Sequence, residues 1–211
     1  YQIDQLGTRG DLYDYYGSQI NLPSGYASFI KAMKKRHPGK RLIMNAVSEY
    51  GAKEMGRTGL LDCFYNEVWG CHSRDALTRT EATFSNLRNI ILNNRSYNAD
   101  LQTVFAAYMN YCCDNSNFNT PGVVMTDAVM FALGGAHLEL GGDHMLCREY
   151  FPHIGQKMTP ELEDWMTHYY DFLTAYQTLL RGDWKENTTV KVSASGVSVN
   201  KWEPVNQRIT Q

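Results

Sequence analysis

A repeated alternation of strand, loop and helix patterns constrains the fold of this chain more than any other feature. Short apolar runs predict strands, and each run is followed by a loop and then by apolar residues at helical spacing. The alternation recurs along the chain and ends with a fifth strand and its helix, which is typical of parallel βαβ units. The sequence therefore predicts an α/β protein with strands at residues 2–6, 41–47, 62–68, 101–108 and 136–140.

Helix signals occupy the stretches between these strands. The first helix ends in Lys34, Lys35 and Arg36, cations that complement the helix dipole before a Pro-Gly pair. Thr120 and Thr159 each precede a proline, so both are predicted N-caps with proline in the first turn. A short segment broken by two glycines joins the second strand to the third. Helices are therefore predicted near residues 26–36, 73–94, 120–133 and 159–182.

The spacing of the strands favours a (β/α)8 TIM barrel. The units are about 25–40 residues long, which fits a barrel of this kind. Five strands are too few to close one, so residues 1–184 are predicted to be a fragment that covers about strands 4 to 8. A doubly wound open sheet is the alternative, but no glycine-rich phosphate loop follows any predicted strand. Tyr1 already lies inside a strand pattern, so the natural chain is expected to begin upstream.

The last residues of the chain follow a different pattern. Residues 188–198 alternate apolar and polar side chains with a period of two, as antiparallel strands do. The start of a C-terminal antiparallel β-domain is therefore predicted over residues 185–211.

Charge and residue usage exclude several classes of partner. The formal net charge is -2 and the main run of cations ends the first helix, which argues against nucleic acid and anionic membranes. No apolar run is long enough to span a bilayer. The five cysteines form no Cys-x-x-Cys pair, and His137, Glu139 and His144 match no known metal-site spacing, so no metal or other cofactor is predicted. Fourteen tyrosines and four tryptophans favour a site that stacks on sugar rings or bases.

Polar side chains recur where predicted strands run into their following loops. Glu67 lies between an apolar run and an indole in FYNEVWG, a setting that suits a proton donor, and Asp4 has a similar place in YQIDQLG. Taken singly, each such residue is better explained as a polar group that caps a loop. In a barrel, however, the carboxyl ends of all strands converge on one face. The set is therefore expected to surround one cleft, and it comprises Asp4, Asn45, Glu67, Asn110 and Glu139.

Two carboxylates across one cleft are what glycoside hydrolysis requires. One group attacks the sugar or activates water, and the other protonates the leaving oxygen. A separation of about 5–5.5 Å between Asp4 and Glu67 would give retention of configuration, and a wider gap would give inversion. The sequence leaves both outcomes open.

Several motifs together resemble glycoside hydrolase family 66, the dextranases and cycloisomaltooligosaccharide glucanotransferases. The resemblance extends from residue 1 to about residue 182, and the motifs are YQIDQLGTRG, DLYDYYG, NAVSEYG, YNEVW and GGAHLELGGDHMLCREYFP. It implies a (β/α)8 barrel with flanking β-domains and cleavage of the α-1,6-glucosidic bonds of dextran or isomaltooligosaccharides with retention. It also implies a secreted or cell-surface bacterial enzyme without a catalytic metal.

The same resemblance implies roles for individual residues. Asp4, in the DQLG motif, corresponds to the nucleophile, and Glu67, in the EVW motif, to the general acid and base. The residues implied to line the glucose subsites are Asn45, Glu49, Trp69, Asn110 and Glu139.

Three functions remain open at this point. The chain contains no long insertion of the kind that carries a carbohydrate-binding module in the cyclising enzymes, which favours plain hydrolysis. A cyclising transglycosylase and a non-catalytic glucan-binding barrel are the alternatives. Because half of the barrel is expected to be missing, the fragment alone is expected to be inactive and to expose an unpaired sheet edge.

Overall fold

The computed structural model describes most of the chain as an α/β fold. It describes residues 1–4, 6–69, 83–108, 117–137 and 157–182, together with 192–194 and 197–199. Several predictions fall outside these residues or their described side chains. They are the side chain of Trp69, all of Asn110, Glu139 and His144, the first part of the helix predicted over 73–94, the end of the strand predicted over 136–140 and most of the β-domain predicted over 185–211.

Five parallel strands form one sheet in the order of the sequence. The strands are β1 (Gln2–Ile3), β2 (Ile43–Val47), β3 (Cys63–Trp69), β4 (Thr103–Tyr108) and β5 (Ala136–His137). Each pairs in parallel with the next, so the sheet order is β1-β2-β3-β4-β5. The predicted α/β class with a parallel sheet is confirmed.

A helix lies between each pair of neighbouring strands, and one more follows β5. The helices are α1 (Leu22–Arg36), α2 (Ala52–Gly56), α3 (Phe84–Tyr97), α4 (Thr120–Ala132) and α5 (Pro160–Leu180). Thr159 caps α5 by accepting a hydrogen bond from the N–H of Leu162, as predicted. The predicted cap of α4 is wrong by one residue. Asn119 accepts from the N–H of Gly122, and Thr120 is the first helical residue.

Two further helix predictions differ from the structure. The five-residue helix α2 was not expected, because a single turn is too short to display apolar periodicity. Helix α3 continues past the predicted end at Asn94 to Tyr97. Asn94 is fully buried in the helix, where its amide donates to Oδ1 of Asn66 at 2.7 Å and to Oγ1 of Thr103 at 3.1 Å. A residue type that often ends helices is here a buried link between α3 and the sheet.

Two apolar clusters hold the helices to the sheet. One joins β4 to α3 and α4 through residues such as Phe105, Leu87 and Met130. The other packs Ile30 of α1 and Met55 of α2 against β2. Each fully buried large apolar side chain contributes about 1.5–3 kcal/mol. The two clusters therefore fix the strands whose ends carry the predicted polar residues.

The last two strands that the structure describes form an antiparallel pair, the kind of pairing predicted for residues 188–198; the β-domain over residues 185–211 stays a prediction. Strand β6 (Val192–Ala194) pairs with β7 (Val197–Val199). Within the described ranges, no helix has both the length and the apolar character needed to cross a bilayer.

Candidate active site

Strand register brings three of the predicted residues to one edge of the sheet. The pairing of β1 with β2 places Asp4, the residue after the strand, level with Asn45. Asn45 pairs with Tyr65 of β3, and Glu67 lies two residues farther along that strand. Because side chains two residues apart in a strand point to the same side, Asn45 and Glu67 share one face of the sheet.

The side-chain amide of Asn45 links the two carboxylates. Its Nδ2 atom donates a hydrogen bond to Oδ1 of Asp4 at 2.7 Å and another to Oε2 of Glu67 at 2.5 Å. Because both oxygens bond the same nitrogen, the distance between them cannot exceed the sum of these two values, 5.2 Å. Asn45 is 0% exposed, whereas Asp4 is exposed and Glu67 is half-buried. The amide therefore lies beneath the two acids.

The orientation of this amide follows from the charges that face it. With Nδ2 toward Asp4 and Glu67, each of its two N–H groups meets one carboxylate oxygen. The reverse orientation would turn an amide oxygen toward two anions. Oδ1 of Asn45 is buried and accepts no hydrogen bond from any residue that the structure describes. Both donors of the amide thus serve the acids.

A cleft of about 280 Å³ opens beside Glu67. Its walls come from the loop after β1 and from the end of β2. Arg9 adds a positive charge to this lining. The volume is close to the lower end of the range for small-molecule sites, about 300 Å³. The lining residues are Gly7, Thr8, Arg9, Val47, Ser48 and Glu67.

Tyr26 of α1 anchors the loop that follows Asp4. Its hydroxyl donates a buried hydrogen bond to the carbonyl oxygen of Gly7 at 2.9 Å. Burial raises the pKa of Tyr26 above its ordinary value, so the hydroxyl keeps its proton and remains a donor. A Cβ at Gly7 would meet the side chain of Val47 at 3.5 Å. The wall of the cleft is therefore tied to both α1 and β2.

The chain leaves β2 through two consecutive residues with left-handed backbone conformation. Ser48 has a φ of 49° and Glu49 a φ of 62°. Such values cost a residue with a side chain about 1–2 kcal/mol. The turn is held by hydrogen bonds from the N–H of Ser48 to the carbonyl of Glu67 at 3.2 Å and from the N–H of Glu49 to that of Ala46 at 3.1 Å. Backbone strain of this kind concentrates at functional sites.

Ser48→Gly is expected to raise the free energy of unfolding by about 0.5–1 kcal/mol relative to Ser48→Ala. Glycine adopts the left-handed conformation without a steric cost, and this relief exceeds the entropy that glycine adds to the unfolded chain. Chemical denaturation of the two variants measures the difference. The alanine variant is the matched control, because it removes the same hydroxyl and keeps the strain. Equal stability of the two variants would show that the turn is not strained.

The structure brings some of the predicted site residues together and separates another. Hydrogen bonds join Asp4, Asn45 and Glu67, and of these three Glu67 is among the lining residues of the cleft. Glu49 is half-buried, and its Oε1 atom accepts a hydrogen bond from Nδ2 of Asn93 in α3 at 3.1 Å, outside the lining of the cleft. The backbone of Trp69 ends β3 opposite Tyr108.

Arg9 and Ser48 were missed in the sequence. Both belong to loops that directly follow a strand, and that position was the available signal.

His137, one member of the weak metal pattern in the sequence, has a structural contact. Its Nδ1 atom lies 2.9 Å from Oδ1 of Asp127, and both side chains are fully buried. The hydroxyl of Tyr170 also donates to the carbonyl of His137, so β5 is attached to α4 and α5. In the part of the chain that the structure describes, no three His, Cys, Asp or Glu side chains gather as a metal site.

Two linked acids at the edge of a parallel sheet are an arrangement that glycosidase-type enzymes use. The model of glycosyl hydrolase family 66 matches residues 1–211, the whole chain. The chain belongs to this family.

Two curated relatives and one solved structure resemble the chain. Both relatives are named cycloisomaltooligosaccharide glucanotransferase and come from Niallia circulans. The chain is 42% identical to one over 123 residues, 54% of this chain and 12% of the relative. It is 27% identical to the other over 118 residues, 52% of this chain and 11% of the relative. The chain thus spans only a small part of the length of these proteins.

The solved structure is a Paenibacillus sp. cycloisomaltooligosaccharide glucanotransferase complexed with cycloisomaltoheptaose. The match has a TM-score of 0.71 and 17% identity, and it covers 84% of this chain and 44% of that chain. At this identity the likeness shows a shared fold.

Proposed function

We propose that the protein containing this chain is a retaining glycoside hydrolase that cleaves the α-1,6-glucosidic linkages of dextran. Asp4 is the nucleophile and Glu67 is the general acid and base. The observation that carries the proposal is the single amide of Asn45, which keeps a carboxylate oxygen of each acid within 5.2 Å of the other. Retaining enzymes hold their two carboxyl groups about 5–5.5 Å apart, and inverting enzymes about 6.5–9.5 Å apart to admit a water.

The reaction then proceeds in two displacements. The carboxylate of Asp4 attacks the anomeric carbon, the bond to the glycosidic oxygen breaks, and Glu67 gives its proton to that oxygen. The sugar is now bound to Asp4 as an ester. Glu67, now ionised, takes a proton from water while the water oxygen attacks the anomeric carbon and releases Asp4. Two inversions at the same carbon give net retention.

The surrounding roles are part of the same proposal. The consecutive parallel order of β1 to β5 supports a fragment of a (β/α)8 barrel, because a closed barrel adds each strand beside the previous one. The missing strands would complete the substrate cleft, so the isolated fragment is proposed to be inactive. Glu49, Trp69, Asn110 and Glu139 are proposed to bind glucose units, and the whole enzyme to be secreted or held at a bacterial cell surface.

A cyclising transglycosylase is the second candidate. It is favoured by the name that both Niallia circulans relatives and the Paenibacillus sp. neighbour carry. In this reaction the ester on Asp4 is attacked by a hydroxyl at the free end of the same glucan chain, and Glu67 takes the proton from that hydroxyl. The first displacement is identical, so the two acids keep their roles.

Product analysis of the full-length protein on dextran tests both candidates. Hydrolysis with retention releases linear isomaltooligosaccharides whose new reducing ends are first α-anomers in the proton NMR spectrum. Cyclic products without new reducing ends would select the transglycosylase. Initial β-anomers would overturn the retaining mechanism, and binding to dextran without any product would leave a glucan-binding protein.

A further inference from the structure

A small hairpin lies, in the sequence, between the cleft residues 7–9 and helix α1. Tyr13 and Gln19 form an antiparallel bridge, and the N–H of Ile20 donates to the carbonyl of Leu12 at 2.8 Å. Residues 14–17 make the turn, and the N–H of Gly17 donates to the carbonyl of Asp14 at 3.1 Å. The sequence DYYG suits this turn, because aspartate is favoured at its first position and Gly17 supplies a φ of 80° at its last.

Side-chain hydrogen bonds stabilise the hairpin. Oδ1 of Asp14 accepts from the N–H groups of Tyr16 at 2.9 Å and Ser18 at 2.8 Å. Nε2 of Gln19 donates to Oδ1 of Asp11 across the two arms at 3.1 Å. The turn therefore holds its shape by its own polar contacts, although its side chains are nearly all exposed.

Three tyrosines of this hairpin face solvent. Tyr13 is 60% exposed, Tyr15 95% and Tyr16 87%, so their rings contribute almost nothing to the described core. The rings of Tyr15 and Tyr16 lie 5.2 Å apart at 85°, which presents two open aromatic faces in different directions. Exposed aromatic groups on a fixed support are typical of a binding surface.

The hairpin continues the wall of the cleft. Gly7, Thr8 and Arg9 line the cleft beside Glu67, and the hairpin begins two residues later at Asp11. Tyr15 follows Arg9 by six positions, and a fully extended chain of that length spans at most about 20 Å. Tyr26 fixes the loop base at Gly7, so Tyr15 lies no farther than this reach from the cleft lining, within the span of a long glucan chain.

The chemistry of the tip selects the kind of ligand. Residues 10–30 contain no lysine or arginine, and the two acids of the hairpin are used by its own hydrogen bonds. A surface without cations does not suit nucleic acid or an anionic membrane. Tyrosine offers a flat apolar face and a hydroxyl at its edge, which match the C–H face and the hydroxyl rim of a pyranose ring.

We propose that Tyr15 and Tyr16 form a stacking site for an α-glucan chain that extends out of the cleft, beyond the glucose units next to the cleaved bond. The inference rests on the proposed function, since it takes the ligand of the cleft to be a glucan. The site raises the affinity for long substrates and leaves the rate of the chemical step unchanged.

Kinetics of the full-length protein test this site. In the double variant Tyr15→Ala with Tyr16→Ala, KM for dextran is expected to rise about tenfold, as the loss of aromatic stacking predicts, with kcat unchanged. KM and kcat for isomaltotriose should stay within about twofold, because so short a chain does not reach the hairpin. Tyr15→Trp with Tyr16→Trp should keep a low KM for dextran. Tyr176→Ala, which removes a half-exposed tyrosine of α5, is the matched control.

Several results would overturn the stacking site. One is an unchanged KM for dextran, and another is an equal rise in KM for isomaltotriose. A third is a lowered melting temperature or an altered oligomeric state, which would mean that another part of the protein or a second copy covers the tyrosines. Affinity electrophoresis of the Glu67→Gln variant in gels that contain dextran measures binding without turnover. A wild-type protein that neither cleaves nor binds dextran would refute the proposed function itself, whereas binding that the tyrosine changes do not weaken would refute this site alone.

Discussion

Glu67→Gln is expected to lower kcat on dextran by about 10²–10⁴-fold, because a positioned general acid contributes about that much. An aryl glucoside with an activated leaving group needs no proton for the first displacement. This substrate should therefore give a rapid burst of aryl alcohol followed by slow turnover, since the same carboxylate is missing as the base for water. Asp4→Asn should lose at least about 10⁴-fold with both substrates and show no burst, because an amide cannot form the glycosyl ester.

Reducing-end assays on dextran and rapid-mixing measurements on the aryl glucoside give these quantities for the full-length protein. Asp100→Asn is the matched control, because Asp100 is an exposed carboxylate in the turn before β4 and should leave both rates unchanged. Wild-type turnover in either site variant would remove Asp4 or Glu67 from the mechanism. If Glu67→Gln lost the same factor in kcat on both substrates and showed no burst, the substitution would have disrupted the site as a whole, and the loss could not be assigned to proton transfer.

Asn45→Ala is expected to lower kcat on dextran by about 100-fold with KM within about twofold, because the side chain is buried and acts on the acids that it positions. The free energy of unfolding should fall by about 1–3 kcal/mol, since hydrogen bonds to two charged groups are lost. Steady-state kinetics and chemical denaturation measure the two effects. These results together would identify Asn45 as a positioning residue.

The control for Asn45 is Asn98→Ala. Nδ2 of Asn98 donates to the carbonyl oxygen of Gly56 at 3.2 Å, away from the cleft lining. Its loss should lower the free energy of unfolding by about 1 kcal/mol and change kcat less than threefold. If Asn45→Ala instead raised KM and spared kcat, the residue would contact glucose directly, as the family resemblance implies. A conformation different from the buried one would then be needed.

The sequence predicts the sheet well because its strands are buried on both sides. In β2, β3 and β4 most residues are apolar or aromatic, so periodicity, length and bounding loops agree; the polar exceptions are Asn45, Asn66, Glu67 and Thr103. Weak local signals account for the errors. Thr120 and Asn119 are both good capping residues, and the preference for one over the other is decided by the path of the preceding loop.

The site was predictable as a set of strand-end residues and not as a geometry. Position in the sequence identified Asp4, Asn45 and Glu67. Asn45 bonds Asp4, which lies 41 residues away in the sequence, and Glu67, which lies 22 residues away. These contacts depend on the register of β1, β2 and β3, and no local rule predicts that register. The resemblance assigned Asn45 to the substrate, whereas its burial became visible only with the neighbouring strands in place. The hairpin turn was not predicted, although its sequence, DYYG, carries the local signal for such a turn.

The buried amides of Asn66 and Asn94 disfavour a one-residue shift in the pairing of β3. Asn66 precedes Glu67 in β3, so the two side chains point to opposite faces, and Asn66 meets Asn94 of α3 at 2.7 Å. If β3 paired one residue out of step, Glu67 would be forced against the interior amide and Asn66 would turn toward the cleft. Such a misaligned state would bury an ionised group, so newly made chains are driven away from it. Correct pairing of the two acids therefore depends on amides that lie on the opposite side of the sheet.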